Sequence, residues 1–268
     1  MIIDVHTHAY PEKVADKARA SHEESFKMKV VTEPTVPALL AFMDKNGIDV
    51  SVICGVATRP DLVVPINDWL FSVRSERIRV FAALHPAFEG REAEIDRISR
   101  HADGIKFQPE FQDFFVDDEK LSPMYERIVE RKLPVLFHCG EELSGTKVVH
   151  ATPERMARLN DRFPRMTVIA GHYGGYLMWD QVREHLLGRD IYLETSDLFG
   201  YRSVPETIAL LKGHRPDRIL FGTDFPLVDQ AKDITYLREL DIPEGLKEAV
   251  FSGNAARLLG IKQDRRIT

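Results

Sequence analysis

Short apolar or β-branched runs alternate along this chain with longer segments in which apolar residues recur at helical spacing. The short runs have the length of strands, and their alternation with helical segments is typical of βα units. We predict eight strands, at residues 2–5, 50–54, 80–84, 104–107, 134–137, 168–170, 191–193 and 219–221. Eight βα units in 268 residues favour an α/β protein with a single (β/α)8 TIM-barrel domain over residues 1–268.

The segments between the strands predict helices that pack against the barrel. One apolar stripe repeats at i, i+3, i+4, i+7 and i+8 through Leu121, Met124, Tyr125, Ile128 and Val129. A second stripe consists of Met156, Leu159 and Phe163. Thr152 before Pro153 indicates a helix start, and Ser203 followed by Glu206 has the spacing of a capping box.

The longest segment between predicted elements covers residues 10–34, after the first strand. Because it follows the carboxyl end of a strand, we interpret it as a loop over the face that carries the active site in TIM-barrel enzymes. At the other end of the chain, we expect residues 262–266 to be solvated.

Composition and charge exclude several classes of protein. Hydrophobic residues make up 44% of the chain, which is enough for a sizeable core, and the net charge of −6 gives no general attraction to nucleic acid. No apolar run approaches the roughly 18 residues that a membrane span requires. The chain enters its first strand without the pattern of a signal peptide, so we expect a cytoplasmic protein with free thiols at Cys54 and Cys139.

Residues suited to metal binding or catalysis end or follow five of the predicted strands. They are His6, His8, Lys106, His138, His172 and Asp224. The carboxyl ends of barrel strands meet at one face, and residues two apart on a strand point the same way, so His6 and His8 can share one ion. Three imidazoles and a carboxylate favour Zn²⁺, with Fe²⁺ or Mn²⁺ as alternatives, and we predict one divalent metal with an open position for water.

Six segments in order along the chain form a recognisable pattern. They are IDVHTH at 3–8, GIK at 104–106 with Pro109, PVLFHCG at 134–140, AGHYGG at 170–175, LFGTDFP at 220–226 and GNAARLLG at 253–260. On these motifs the chain resembles the amidohydrolase superfamily, and within it the amidohydrolase-related group of TIM-barrel metal-dependent hydrolases and decarboxylases. The resemblance extends over essentially the whole chain.

The resemblance implies a mononuclear centre held by His6, His8, His138 and Asp224. It also implies that Asp224 orients and deprotonates the water and that His172 takes part in catalysis. Lys106 has three interpretations: a cation that binds substrate, which we favour, a partner in a strand-end salt bridge, or a carbamylated bridge between two metals as in binuclear relatives. In the last case, His138 and His172 hold the second ion.

We predict a hydrolase in which a metal-activated water attacks an ester, lactone or amide-like carbonyl of a small molecule. The alternative is a non-oxidative decarboxylase of an aromatic or unsaturated acid, since the group that the chain resembles contains both. A barrel without activity is a third class, but it has no need of such a ligand set. The oligomeric state, including a homo-oligomer, is left open.

Further candidates lie in the loops after the strands. Glu110, Tyr173 and Asp197 are candidate substrate contacts, with solvated or capping roles as alternatives. The aromatic segment at 107–115 either walls the substrate pocket or packs in the core.

Overall fold

The structure, a computed structural model, describes residues 1–143 and 148–262. Its strands are β1 (Ile3–Thr7), β2 (Val50–Cys54), β3 (Ile78–Ala83), β4 (Gly104–Phe107), β5 (Val135–Phe137), β6 (Val168–Ala170), β7 (Tyr192–Glu194) and β8 (Ile219–Leu220). Each pairs in parallel with the next, in the order β1 to β8. The eight predicted strands and the TIM barrel are confirmed, with strand boundaries displaced by at most two residues.

The barrel closes where the chain beyond β8 meets β1. The backbone N–H of Val5 donates to the carbonyl of Phe221 over 2.9 Å, and that of His8 donates to Phe225 over 2.7 Å. Between them, the N–H of Asp224 donates to the carbonyl of His6 over 2.9 Å. The first and last ligand candidates are therefore held side by side by the same backbone bonds that close the barrel.

Helices separate the strands. They are α1 (Glu12–Phe26), α2 (Val36–Asn46), α3 (Val63–Val73), α4 (Arg91–His101), α5 (Pro109–Gln112), α6 (Ser122–Glu130), α7 (Pro153–Arg162), α8 (Trp179–His185), α9 (Val204–Gly213), α10 (Gln230–Glu239), α11 (Glu244–Glu248) and α12 (Asn254–Leu259). The two apolar stripes lie on α6 and α7, as predicted. Both predicted helix starts are confirmed: Thr152 Oγ1 accepts from the N–H of Arg155, and the Glu206 carboxylate accepts from the N–H of Ser203.

Alternate strand residues belong to two buried clusters. Val50, Val52 and Cys54 of β2 pack in the barrel interior, whereas Ile53 belongs to the cluster between strands and helices. Leu259 of α12 joins the interior cluster, so the last helix covers the end of the barrel opposite the ligand candidates. Apolar side chains therefore fill the barrel interior toward the amino ends of the strands. Polar side chains occupy the end at which the carboxyl ends of the strands lie.

The segment at 10–34 is mainly helical, which corrects the loop predicted from the sequence. Residues 12–26 form α1, and Val14, Ala18 and His22 of this helix line a cavity at the carboxyl ends of the strands. Its position over that face agrees with the prediction. Its helical form was missed because α1 carries few apolar residues, with Ala15 its one buried hydrophobic residue among those whose side chains the structure describes.

Within the described parts of the chain, no helix is both long enough and apolar enough to cross a membrane. Of the C-terminal segment predicted to be solvated, Lys262 is exposed and residues 263–266 lie outside the described residues.

Candidate active site

The pairing of β1 with β2 contains an extra residue just before the candidate ligands. Asp4 pairs with Ser51 and Thr7 with Ile53, so β1 advances three residues while β2 advances two. Such a bulge re-aims the side chains that follow it. Val5 packs in the barrel interior, and the irregularity lets His6 and His8 also reach a common point above it.

His6, His8 and Asp224 form a candidate metal site, with ligand atoms all within 4.8 Å of one another. His8 Nδ1 lies 3.1 Å from the carbonyl oxygen of Cys54, which can only accept, so Nδ1 carries the proton and Nε2 keeps its lone pair. That Nε2 lies 3.1 Å from Oδ1 of Asp224. Two acceptor atoms this close need a cation or a proton between them.

Glu194 fixes the tautomer of His6 in the same way. His6 Nδ1 donates to Oε1 of Glu194 over 2.9 Å, which leaves Nε2 unprotonated and 3.4 Å from Oδ1 of Asp224. Burial and the nearby charge of Lys106 lower the pKa of His6 to about 4, so its neutral form is favoured. The imidazoles of His6 and His8 therefore turn lone pairs toward one carboxylate oxygen.

The sequence analysis did not single out Glu194, although it is the last residue of β7 and fully buried. Besides His6, its carboxylate accepts from the N–H of His172 over 2.8 Å and from the N–H and hydroxyl of Ser196, each over 2.8 Å. Burial raises the pKa of Glu194, but the charge and hydrogen bond of His6, with the other donors, lower it to about 2. The rule that selected His138 and Asp224, position at a strand end, also points to Glu194.

His138 and His172 make a second pair beside this site. Nε2 of His172 lies 2.9 Å from Nδ1 of His138, and Nδ1 of His172 lies 3.0 Å from Oδ2 of Asp197. Burial lowers the pKa of His172, but the hydrogen bond and charge of Asp197, with nearby carboxylates, raise it above its usual value. Burial and the charge of His172 hold the pKa of His138 well below its usual value.

Nε2 of His138 is buried and has no hydrogen-bond partner in the structure. The nearest acidic group is Oε2 of Glu142 at 3.5 Å, and burial raises the pKa of that carboxyl to about 7. His138 belongs to none of the groups of three or more described residues whose potential ligand atoms lie within 4.8 Å of one another. The structure thus brings His6, His8 and Asp224 together and leaves His138 beside them with a free ligand atom.

These residues fit a divalent cation. The lone pairs of His6 and His8 face Asp224, and the orphaned, buried Nε2 of His138 is a further nitrogen donor. Imidazole and carboxylate donors suit Zn²⁺, Fe²⁺ and Mn²⁺. Partners behind the ligands, Glu194 on His6 and the carbonyl of Cys54 on His8, are typical of metal sites.

Lys106 is buried under the ligand cluster, which consists of His6, His8, His138 and Asp224. Its Nζ lies 3.2 Å from Nε2 of His6, and burial lowers the pKa of the ammonium. Lys106 is not among the described residues that line the cavity above the site. It therefore lies against a candidate metal ligand, and its predicted contact with substrate stays a prediction.

Three site residues have left-handed backbone conformations. The φ angles are 53° at His172, 53° at Asp197 and 61° at Asp224. Such conformations are uncommon outside glycine and tend to occur at functional sites. The strand-end turns therefore aim these three side chains at the same region.

A cavity of about 590 Å³ opens above the ligand cluster. Its walls are largely apolar and aromatic, with contributions from Leu62, Ile66, Trp69, Phe111, Tyr176 and Tyr201. Of the described residues that line it, Lys13 alone carries an ammonium or guanidinium group, and its side chain is exposed at the rim. The cavity suits a flat, mostly apolar molecule whose polar end meets the ligand cluster.

The weaker candidates have different fates. Asp197 lines the cavity and contacts His172, but the hydroxyl of Tyr173 donates to the carbonyl of Leu210 over 3.0 Å and is buried in packing. Glu110 binds His150, with 2.6 Å between Oε2 and Nδ1. In the aromatic segment Phe111 lines the cavity, whereas its neighbours at 107 and 114 are buried in the core.

The fold and the site define a (β/α)8 barrel with imidazoles and carboxylates gathered at the carboxyl ends of its strands. A model of the amidohydrolase family matches residues 3–261. The chain belongs to this family, as its motifs indicated. A comparison with curated proteins finds no match.

Solved structures with the same fold cover nearly all of the chain. An uncharacterized TIM-barrel protein from Bordetella bronchiseptica is 19% identical, with a TM-score of 0.77 over 97% of this chain and 98% of that chain. A 2,6-dihydroxybenzoate decarboxylase from Rhizobium is 19% identical, with a TM-score of 0.70 over 97% and 98%. A 5-carboxyvanillate decarboxylase from Novosphingobium aromaticivorans, complexed with manganese and a nitrobenzoic acid, is 17% identical, with a TM-score of 0.71 over 97% and 96%.

Proposed function

We propose that this protein is a metal-dependent, non-oxidative decarboxylase of an aromatic or unsaturated carboxylic acid. The observation that carries the proposal is the position of the ligand cluster at the floor of an apolar, aromatic-walled cavity. An apolar enclosure removes water from the carboxylate, and loss of CO₂ followed by protonation of the carbon gives a product without the charge that the enclosure disfavours. The decarboxylases among the structures of similar fold, two of which are described above, support this choice.

In the proposed reaction, the bond between the carboxyl carbon and the neighbouring carbon breaks, CO₂ leaves, and the remaining electron pair takes a proton. A divalent cation held by His6, His8, Asp224 and His138 would bind the acidic end of the substrate and withdraw charge from it. Glu194 and the carbonyl of Cys54 keep the imidazoles of His6 and His8 in the tautomer whose Nε2 is free to bind a cation. The apolar walls place the flat part of the substrate.

We assign delivery of the proton to His172. It lines the cavity, and the Asp197 carboxylate at its Nδ1 stabilises the imidazolium form. Its Nε2 lies 2.9 Å from Nδ1 of His138, which places the two rings side by side at the cavity. The next turnover requires His172 to be protonated again from solvent.

Hydrolysis, the main expectation from the sequence, stays a prediction. It needs the same cation and Asp224 as the base that takes a proton from water. It also needs a polar surrounding for the leaving group, and the walls of the cavity are largely apolar. The absence of water from the balanced decarboxylation separates the two reactions.

The test uses protein loaded with Zn²⁺, Mn²⁺ or Fe²⁺ and a panel of hydroxybenzoates, unsaturated diacids, aryl esters and lactones. Decarboxylation predicts CO₂ release and, in D₂O, deuterium at the carbon that lost the carboxyl group, seen by NMR. His172→Asn is expected to lower kcat at least ~100-fold while retaining metal, whereas His185→Asn, outside the cavity, leaves kcat unchanged. Cleavage of esters or lactones with ¹⁸O taken up from water, and no CO₂ from any acid, would establish hydrolysis instead.

A further inference from the structure

The helix that covers the barrel mouth contributes a polar pair to an otherwise apolar wall. The hydroxyl of Tyr10, just before α1, lies 3.0 Å from Nε2 of His22 on that helix. The two rings meet edge to face, with centroids 5.6 Å apart. Both residues line the cavity, where the same wall also contains Val14 and Ala18.

The pair is held close to the ligand cluster and not at the outer rim. The ring of His22 stands at 87° to that of His8, with centroids 6.5 Å apart. Tyr10 is fixed from behind, since its N–H donates to the carbonyl of Pro34 over 2.8 Å. A molecule whose acidic end meets His8 and Asp224 therefore has the Tyr10–His22 pair next to its reacting end.

The chemistry of the pair selects what it binds. The hydroxyl of a phenol can donate one hydrogen bond and accept two. An imidazole nitrogen that is hydrogen-bonded to it accepts where the hydroxyl donates and donates where the hydroxyl accepts. The pair consequently suits an uncharged polar group, a hydroxyl or a carbonyl oxygen, better than a second carboxylate.

We propose that Tyr10 and His22 form a substrate subsite that binds a hydroxyl or carbonyl substituent close to the carboxylate of the substrate. The inference rests on the proposed decarboxylation, because it narrows the class of acids to those that carry such a substituent. The pair can hydrogen-bond to a substrate without moving, since both residues already line the cavity. Specificity then arises because a hydroxyl or carbonyl substituent adds a hydrogen bond to the half-buried Tyr10–His22 pair and a plain aromatic acid does not.

The test is calorimetric binding of benzoate and of 2-, 3- and 4-hydroxybenzoate to the metal-loaded protein. We expect 2- or 3-hydroxybenzoate to bind about tenfold more tightly than benzoate, as one added hydrogen bond allows, and 4-hydroxybenzoate to gain less. Tyr10→Phe and His22→Phe should each remove that preference while benzoate affinity stays within about twofold. Ser25→Ala, on the same helix and also lining the cavity, should keep it.

Unfolding temperatures of the variants exclude a general loss of structure. A hydroxyl preference that persists in both variants overturns the subsite, as does an equal loss of benzoate and hydroxybenzoate binding. Failure of every benzoate to bind also overturns it. The proposed decarboxylation is judged separately by CO₂ release from any acid of the panel, which does not depend on Tyr10 or His22.

Discussion

Oε1 of Glu194 accepts a hydrogen bond from Nδ1 of His6 over 2.9 Å, although 188 residues separate the two in the chain. This bond decides which nitrogen of His6 is free to bind a cation, and the same carboxylate holds the N–H of His172. Glu194 thereby connects the candidate metal site to the candidate proton donor. Glu194 positions both residues, and it lies within hydrogen-bond distance of them only because the barrel is closed.

Replacing Glu194 by glutamine tests this positioning role. The amide nitrogen of Gln brings a donor to a place where four donors already point, so at least one bond is lost. We expect metal affinity to fall by roughly 10–100-fold and the unfolding free energy to fall by about 1–3 kcal/mol. Competition with a chelating dye and urea unfolding measure the two effects. Glu126→Gln, at an exposed carboxylate of α6, is the control, and equal metal affinity in both variants would remove Glu194 from the site.

Gly222 lies so close to the carboxylate of Glu194 that a larger residue at this position would displace it. A Cβ at this position would collide with Oε2 of Glu194 and lie 3.1 Å from Cβ of His6. Gly222→Ala should therefore displace Glu194 and reduce both metal binding and stability. Gly245→Ala is the matched control, because a Cβ there meets nothing within 4 Å and alanine favours the helix by about 0.5–1 kcal/mol. Normal metal loading in Gly222→Ala would show that the site tolerates a shifted Glu194.

The effect of Asp224→Asn on the unfolding temperature is expected to have opposite signs in the metal-free and the metal-loaded protein. In the metal-free protein an amide can donate to Nε2 of His8, where the carboxylate oxygen at 3.1 Å faces it with another acceptor. Without metal at mildly alkaline pH, the variant should unfold at a higher temperature than the wild type, and with saturating Zn²⁺ or Mn²⁺ the order should reverse. Scanning calorimetry with chelator and with metal measures both. A variant that is less stable under both conditions would show that no acceptor conflict exists.

Metal content gives a direct count of sites. Plasma mass spectrometry of the reconstituted protein should find about one equivalent of divalent metal per chain, and none in His8→Ala. His138→Ala distinguishes two roles of this ring: loss of metal assigns its orphaned Nε2 as a ligand, and retained metal with lowered kcat assigns its Nδ1 to the positioning of His172. Two equivalents would instead favour the bridging interpretation of Lys106.

His214 predicts a pH dependence of stability away from the active site. Its Nδ1 accepts from the N–H of Gly188 over 3.2 Å and its Nε2 donates to the carbonyl of Ile191 over 2.9 Å, so only the neutral ring satisfies both. Burial lowers its pKa from 6.5 to about 4. Below pH 6.5 the unfolded chain takes up a proton that the folded protein refuses, so stability falls between pH 6.5 and 4, by up to about 3 kcal/mol.

The matched variant is His214→Gln, whose amide can accept from Gly188 and donate to Ile191 without titrating. We expect its unfolding free energy to fall less steeply than that of the wild type over this pH range. His101→Gln, at an exposed end of α4, should follow the wild-type slope. Parallel pH curves for the wild type and His214→Gln would assign the acid sensitivity to other groups.

Local sequence determined the elements of this fold. The strands and the starts of α7 and α9 follow from side-chain period and cap residues within a few positions, and these interactions act wherever the chain lies. Position at a strand end was enough to select His6, His8 and Asp224, because parallel strands of a barrel bring their carboxyl ends to one face. The same rule fits Glu194, which directly follows the strand predicted at 191–193 and was not selected.

The contacts that give each site residue its role were decided by tertiary structure alone. Which nitrogen of His6 binds depends on Glu194, the orientation of His172 depends on Asp197, and Nε2 of His138 faces no partner. The form of α1 and the meeting of Tyr10 with His22 also required the folded chain. Periodicity indicates which face of an element is buried. The direction of a hydrogen bond between distant residues depends on their relative placement to within a few tenths of an ångström, and only the closed barrel supplies that placement.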